Sequence, residues 1–294
     1  MPETLQELLE KSNRTLILDG PLGTELTRRG FDVDRPGWSA RALVENPELV
    51  LQIHLDYVAA GANLLTANTF RTHAVNLKEW NPAQNARELT SIAVELAQQA
   101  AGNACLVCGS VSPLGDSYRP QTSLSEDWLI EQHEKMLDEL TSAGVDILLV
   151  ETQTTFRELK VILRLIEKYS IPTMLSVVSF DGLHLLDGTP LPDIAELVTR
   201  SKIVALGCNC VPVEIVKTVL NSLKDNQLPK IVYANSGYQN AEGTWVQSLG
   251  ANLDEHTELA KSWIQQGVRI LGGCCGTEVP LIAKFAEKFN ENSV

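Results

Sequence analysis

Short apolar runs rich in β-branched residues alternate with longer amphipathic stretches eight times along this chain. That alternation limits the fold more than any other feature. The short runs are TLILDG (15–20), NLLTANTF (63–70), ACLVCGSVSP (104–113), VDILLVET (145–152), PTMLSVVSF (172–180), KIVALGCNC (202–210), KIVYANSG (230–237) and VRILGGCC (268–275). Helical patterns follow them at 45–60, 83–101, 125–143, 154–169, 191–200, 212–225, 253–266 and 279–290. Strands that alternate with helices form a parallel sheet, and eight such units in 294 residues predict a single (β/α)8 TIM barrel, one domain over 1–294. An open doubly wound sheet is the runner-up, but it seldom uses eight units without a second domain. The longest loops are 20–44 and 236–251; the second is rich in Asn, Gly and Gln and is expected to be mobile.

Composition narrows the function classes. Hydrophobic residues make up 44%, which excludes a disordered chain. A net charge of −13 without a basic stripe argues against nucleic-acid binding. No run of eighteen apolar residues is present, and Met1 to Arg14 carries no apolar signal core, so a cytoplasmic location away from membranes is expected. Six cysteines in such a chain point to metal or catalysis rather than disulfides.

Barrel active sites lie at the C-terminal strand ends. Here those ends carry Asp19-Gly20, Asn68-Thr69, Glu151-Thr152, Cys208-Asn209-Cys210, Asn235-Ser236 and Cys274-Cys275. The sulfurs are the sharpest signal. Adjacent cysteines between glycines, with another cysteine at the end of strand six, match three protein ligands of a zinc ion that keeps one position open. Period-two alternation places Cys208 and Cys210 on one face, so spacing does not choose between them. Cys105 and Cys108 read as core filler. Buried inert thiols and a 274–275 redox disulfide are the bland alternatives.

Three thiolates make zinc a poor activator of water but a good holder of a fourth sulfur. A coordinated thiol is deprotonated and can attack an electrophile, so the predicted reaction is S-alkylation of a thiol substrate. No catalytic residue beyond the zinc site is required. Asp19 and Glu151 would pair with the ammonium of an amino-acid thiol. The alternatives are turn formation for Asp19, helix capping for Glu151, or paired acid/base work as in glycosidases. Gly20 belongs to a loop whose N–H groups can meet a carboxylate.

These residues resemble the homocysteine S-methyltransferase family nearly end to end. LDGPLGTEL, GCNC and GGCCGT are similar to its three main motifs, and WSARALVENPELV, LLDGTPL and IVYANSG agree with it. The resemblance implies a zinc-dependent barrel that methylates homocysteine to methionine. It implies Cys210, Cys274 and Cys275 as the ligands of one Zn2+, with Cys208 at the variable motif position. It implies homocysteine binding by Asp19 and Glu151; Gly20, Asn209 and Asn235 join them as candidate substrate contacts. The S-methylmethionine branch is most similar, with S-adenosylmethionine, betaine and methylfolate as alternative donors. Where the betaine branch carries a Tyr, this chain has Arg71. Trp38 is a candidate for cation–π contact with a sulfonium or for loop packing. Partners are expected to be small molecules, and the assembly a monomer or small homo-oligomer. Two rivals remain. A barrel metallohydrolase needs His and carboxylate ligands, and the five histidines include no HxH pair. A non-catalytic zinc-holding or redox-sensing thiol protein would need only the cysteines.

Overall fold

A computed structural model describes residues 4–11, 14–81, 83–117, 119, 124–239 and 245–290. Eight parallel strands form its centre: β1 (Leu16–Ile17), β2 (Leu64–Ala67), β3 (Leu106–Val111), β4 (Ile147–Gln153), β5 (Thr173–Val177), β6 (Ile203–Pro212), β7 (Lys230–Asn235) and β10 (Val268–Gly273). A short antiparallel hairpin, β8 (Gly237–Gln239) with β9 (Trp245–Gln247), interrupts the series. Neighbouring strands pair in sequence from β2 to β7, then β10, then β1. The ring closes where Leu18 bridges Leu64, with Asn63 N donating to Ile17 O at 2.7 Å and Asp19 N donating to Leu64 O at 3.0 Å. This is the (β/α)8 barrel expected from the alternation.

The strands are legible because they are buried on both faces. Every residue of β3 and β4 is buried, so hydrophobicity runs continuously instead of alternating. Several outer helices start where a polar side chain accepts from backbone N–H groups that lack a partner within the helix. Asn85 Oδ1 accepts from Arg87 N and Glu88 N, Ser125 Oγ accepts from Trp128 N, and Asn252 Oδ1 accepts from Asp254 N and Glu255 N. Their apolar faces pack on the strands in one continuous core. Among the described residues no helix is long and apolar enough to cross a membrane.

The connections hold more structure than the sequence pattern shows. The segment 20–44 contains helix Leu22–Arg28 and the 3-10 turn Trp38–Arg41, and helix Ala42–Glu45 begins at its end. Helices Leu5–Lys11 and Ala74–Trp80 are further additions. These pieces are too short for helical periodicity and are held by tertiary contacts. Glu25, fully buried, pairs with Arg28 at 2.8 Å and Arg29 at 2.9 Å, and Arg29 reaches Asp56 at 2.7 Å on the next long helix. The expected final helix stops at Phe285 and continues as a π turn, Ala286–Asn290. The loop 236–251 contains the hairpin, and its residues 240–244 lie outside the described residues.

One close approach is decisive for the barrel wall. Gly207 of β6 pairs with Ile231 of β7, and a Cβ at Gly207 would come within 1.7 Å of Ile231 O. Backbone cannot retreat as a side chain does. Gly207→Ala is therefore expected to cost about 3 kcal/mol or more, the upper end of overpacking effects. A urea-unfolding midpoint close to wild type would contradict this.

Candidate active site

The barrel mouth is shaped by two irregularities in its ladder. Pairing of β6 with β7 shifts between Asn209 and Pro212, and pairing of β4 with β5 shifts between Val150 and Gln153. Inside these bulges Cys210 has φ 53° and Thr152 has φ 58°, in the left-handed region that side chains avoid. The twist at Cys210 breaks the period-two pattern that had placed it with Cys208. Cys208 is buried in the wall, and burial pushes its thiol up to about 12. Cys210 turns instead toward the end of β10, its Sγ 2.8 Å from that of Cys274.

Cys274 and Cys275 follow β10 in a pinned turn. Cys274 N donates to Ala234 O at 3.0 Å, Ser236 N donates to Cys275 O at 3.0 Å, and Gly276 N donates to Thr24 Oγ1 at 3.0 Å. Gly276 takes φ 77°, and a Cβ there would strike Ser236 Oγ and the Trp245 indole. The sulfur atoms of Cys210, Cys274 and Cys275 all lie within 4.8 Å of one another. Among the described residues this is the one such group of three His, Cys, Asp or Glu side chains, so none of the five histidines contributes to a comparable cluster. The adjoining Cys274 and Cys275 thiols, together with burial, hold the Cys210 thiol well above its ordinary range. Three thiols so crowded cannot ionise together without a cation among them. The donor set therefore fits one soft metal ion.

Two carboxyls stand in the same mouth. Asp19, following β1, accepts from Thr66 N at 2.8 Å and Thr66 Oγ1 at 2.9 Å. Burial raises it to about 8, and the charge of Glu151 adds to the shift. Glu151, on β4, accepts from Ser110 Oγ at 2.5 Å, Tyr233 OH at 3.1 Å and Asn209 Nδ2 at 3.4 Å. Burial raises it to about 7 against those hydrogen bonds. Near neutrality, with no cation facing them, Asp19 thus holds a proton and Glu151 is divided between its protonated and ionised forms.

The other candidates fall in different roles. Asn209 is fully buried and commits its amide to the protein: Oδ1 accepts from Thr152 N at 2.9 Å and Ser176 Oγ at 2.7 Å, while Nδ2 donates to Thr152 Oγ1 at 2.8 Å. Asn235 Oδ1 and Ser236 Oγ are buried with no hydrogen-bond partner among the described residues, which leaves capacity for a polar ligand at the end of β7. Gly20 lies against Tyr57, whose hydroxyl would sit 2.6 Å from a Cβ at that position. The Trp38 indole rests on Gly23 and meets Phe70 edge-on at 5.9 Å. Sequence reasoning missed Thr66, Ser110, Ser176 and Tyr233, which are ordinary strand residues until their inward direction is known. It also missed Trp245, whose indole lies over Gly276 beside the cysteines.

Comparison with known proteins agrees with this geometry. Residues 16–289 match the homocysteine S-methyltransferase family. The chain is 35% identical to homocysteine S-methyltransferase YbgG of Bacillus subtilis over 295 residues, 92% of this chain and 93% of that one. It is 35% identical to homocysteine S-methyltransferase of Escherichia coli over 296 residues, 93% and 94% of the two chains. The crystal structure of the homocysteine methyltransferase MmuM from Escherichia coli, in its metallated form, superposes with a TM-score of 0.84 at 32% identity, covering 97% of this chain and 99% of that one. With the three motifs, the barrel and the thiol cluster in place, the chain belongs to the homocysteine S-methyltransferase family.

Proposed function

We propose that this protein transfers a methyl group from a sulfonium donor, S-methylmethionine, to the thiol of L-homocysteine, giving methionine. The observation that carries this reading is the cluster of three thiols beside two buried carboxyls. The activity of the named relatives supports the acceptor, and the metallated Escherichia coli structure supports a metal. The same reading takes 1–294 as one domain, active on small molecules in cytoplasmic methionine biosynthesis.

Cys210, Cys274 and Cys275 would hold one zinc ion, which when bound supplies a deprotonated, oriented substrate thiol at neutral pH. The remaining tasks belong to side chains. Asp19 and Glu151 receive the substrate ammonium and release their protons as it arrives. Asn235 and Ser236 offer acceptors to the polar end of a substrate, and Trp38 offers a ring face to the sulfonium. In the transfer, a donor S–CH3 bond breaks as a new S–CH3 bond forms on the substrate sulfur. The donor's bonding pair stays on its own sulfur, the thiol proton goes to solvent, and two neutral thioethers result. Cancelling charges favour a mouth shielded from water.

Metal analysis and a donor panel test this directly. About one zinc per chain is expected, lost together with activity in Cys274→Ala. Homocysteine is then incubated with S-methylmethionine, S-adenosylmethionine, betaine or methylfolate, with methionine as the readout and S-methylmethionine expected to be the best donor. A zinc-free, fully active protein, or no methionine from any donor, would sink the proposal.

The raised carboxyls set a pH dependence. The empty site binds a proton that the ammonium must displace, so affinity for an ammonium ligand rises with pH until the free-site value is passed. Methionine has that ammonium and no titrating thiol. Its inhibition constant is expected to fall between pH 6 and 8, by up to about tenfold per unit for each proton released. In Asp19→Asn the fall should shrink to the part below pH 7 that belongs to Glu151. Identical slopes in the two proteins would show that Asp19 does not meet the ammonium.

A further inference from the structure

We infer that Arg71 is the anchor for the donor's carboxylate, so that the site selects sulfonium donors that are also carboxylates. This rests on the sulfonium reading above.

Arg71 lies in the connection after β2, at the mouth end of the barrel. Its backbone is fastened on both sides. Phe70 O accepts from Ser112 Oγ at 2.7 Å, and Arg71 O accepts from Asn76 Nδ2 at 2.6 Å. The guanidinium carbon stands 5.3 Å over the centre of the Phe70 ring, and Phe70 meets Trp38 edge-on. A guanidinium, an aromatic ring and an indole therefore follow one another along the rim.

The described residues satisfy the guanidinium poorly. Among the described residues its one hydrogen bond is a long contact from a terminal nitrogen to Gly115 O at 3.5 Å, and it forms no ion pair with any of them. It is partly buried, and burial lowers its pKa even though Asp116 and Glu79 act on it from a distance. Arginine carries five donors in a planar fork, and withdrawing that charge from water is costly unless an anion meets it. A carboxylate fits the fork with two parallel hydrogen bonds. An amino-acid sulfonium with its sulfur at Trp38 and its carboxylate at Arg71 would lie along Phe70, the ring that meets both.

The test compares S-methylmethionine with trimethylsulfonium, which has the cation but no carboxylate, each as substrate or competitive inhibitor of the zinc-loaded enzyme. Arg71→Met keeps the apolar stem over Phe70 and removes the fork; Arg71→Lys keeps the charge without it. In Arg71→Met the preference for S-methylmethionine over trimethylsulfonium is expected to drop at least about tenfold through KM, with Arg71→Lys intermediate and the KM for homocysteine unchanged. Equal loss for both sulfonium compounds would assign Arg71 a purely structural role. A raised KM for homocysteine with an unchanged preference would move the anchor to the acceptor. Either overturns the inference while leaving the methyltransferase reading intact; absence of methionine in wild type would instead defeat that reading.

Discussion

The side-chain amide of Asn209 holds the two bulges of the barrel mouth in register with each other. Left-handed backbone at Thr152 and Cys210 costs on the order of 1–3 kcal/mol apiece. Asn209 reaches across β5 from β6 to β4, taking hydrogen bonds from Thr152 N and Ser176 Oγ and giving one to Thr152 Oγ1. Tyr233 extends the chain of contacts, meeting Ser176 Oγ at 2.6 Å and Glu151 Oε2 at 3.1 Å. With Ser110 on the far side of Glu151, one polar network joins β3, β4, β5, β6 and β7. Such networks are worth most when every member is satisfied, and the orientation of Cys210 and of the Glu151 carboxyl both depend on this one.

The same enclosure gives the acids their character. A carboxylate alone in a buried pocket is expensive, so Asp19 and Glu151 keep their protons to higher pH than exposed acids do. A cation delivered to that pocket meets two potential charges with little water between them, where attraction is far stronger than at a surface. The pocket is therefore poor at holding bare charge and good at recognising a matched one. The thiol cluster follows the same logic with sulfur in place of oxygen.

How much of this was legible in the sequence depended on where each signal came from. The eight strands and the longer helices were, since continuous burial and helical periodicity are properties of local sequence. Placing Asp19, Glu151 and the cysteines at one mouth needed only the barrel and its strand ends. The choice of Cys210 over Cys208 was not available from alternation, because the bulge that separates them is a pairing irregularity between strands. The helices within 20–44 and at Ala74–Trp80 were hidden for a similar reason: partners far along the chain stabilise them. Asn209 was noticed as a strand-end residue, but its commitment to Thr152 and Ser176 depends on distances across three strands.

The closing seam of the barrel bears on how the chain matures. β1 is only two residues long and takes β10 as its partner on one side, while Arg269 on β10 donates to Leu9 O and Arg14 O from the other end of the chain. Until β10 is in place, a growing or partly folded chain presents a bare parallel edge, which is slow to pair and prone to pair wrongly. Two of the three clustered sulfurs arrive with that last strand. Assembly of the thiol cluster is then a late event that reports on the whole ring, and a chain able to gather all three sulfurs has already passed the step at which misassembly is easiest.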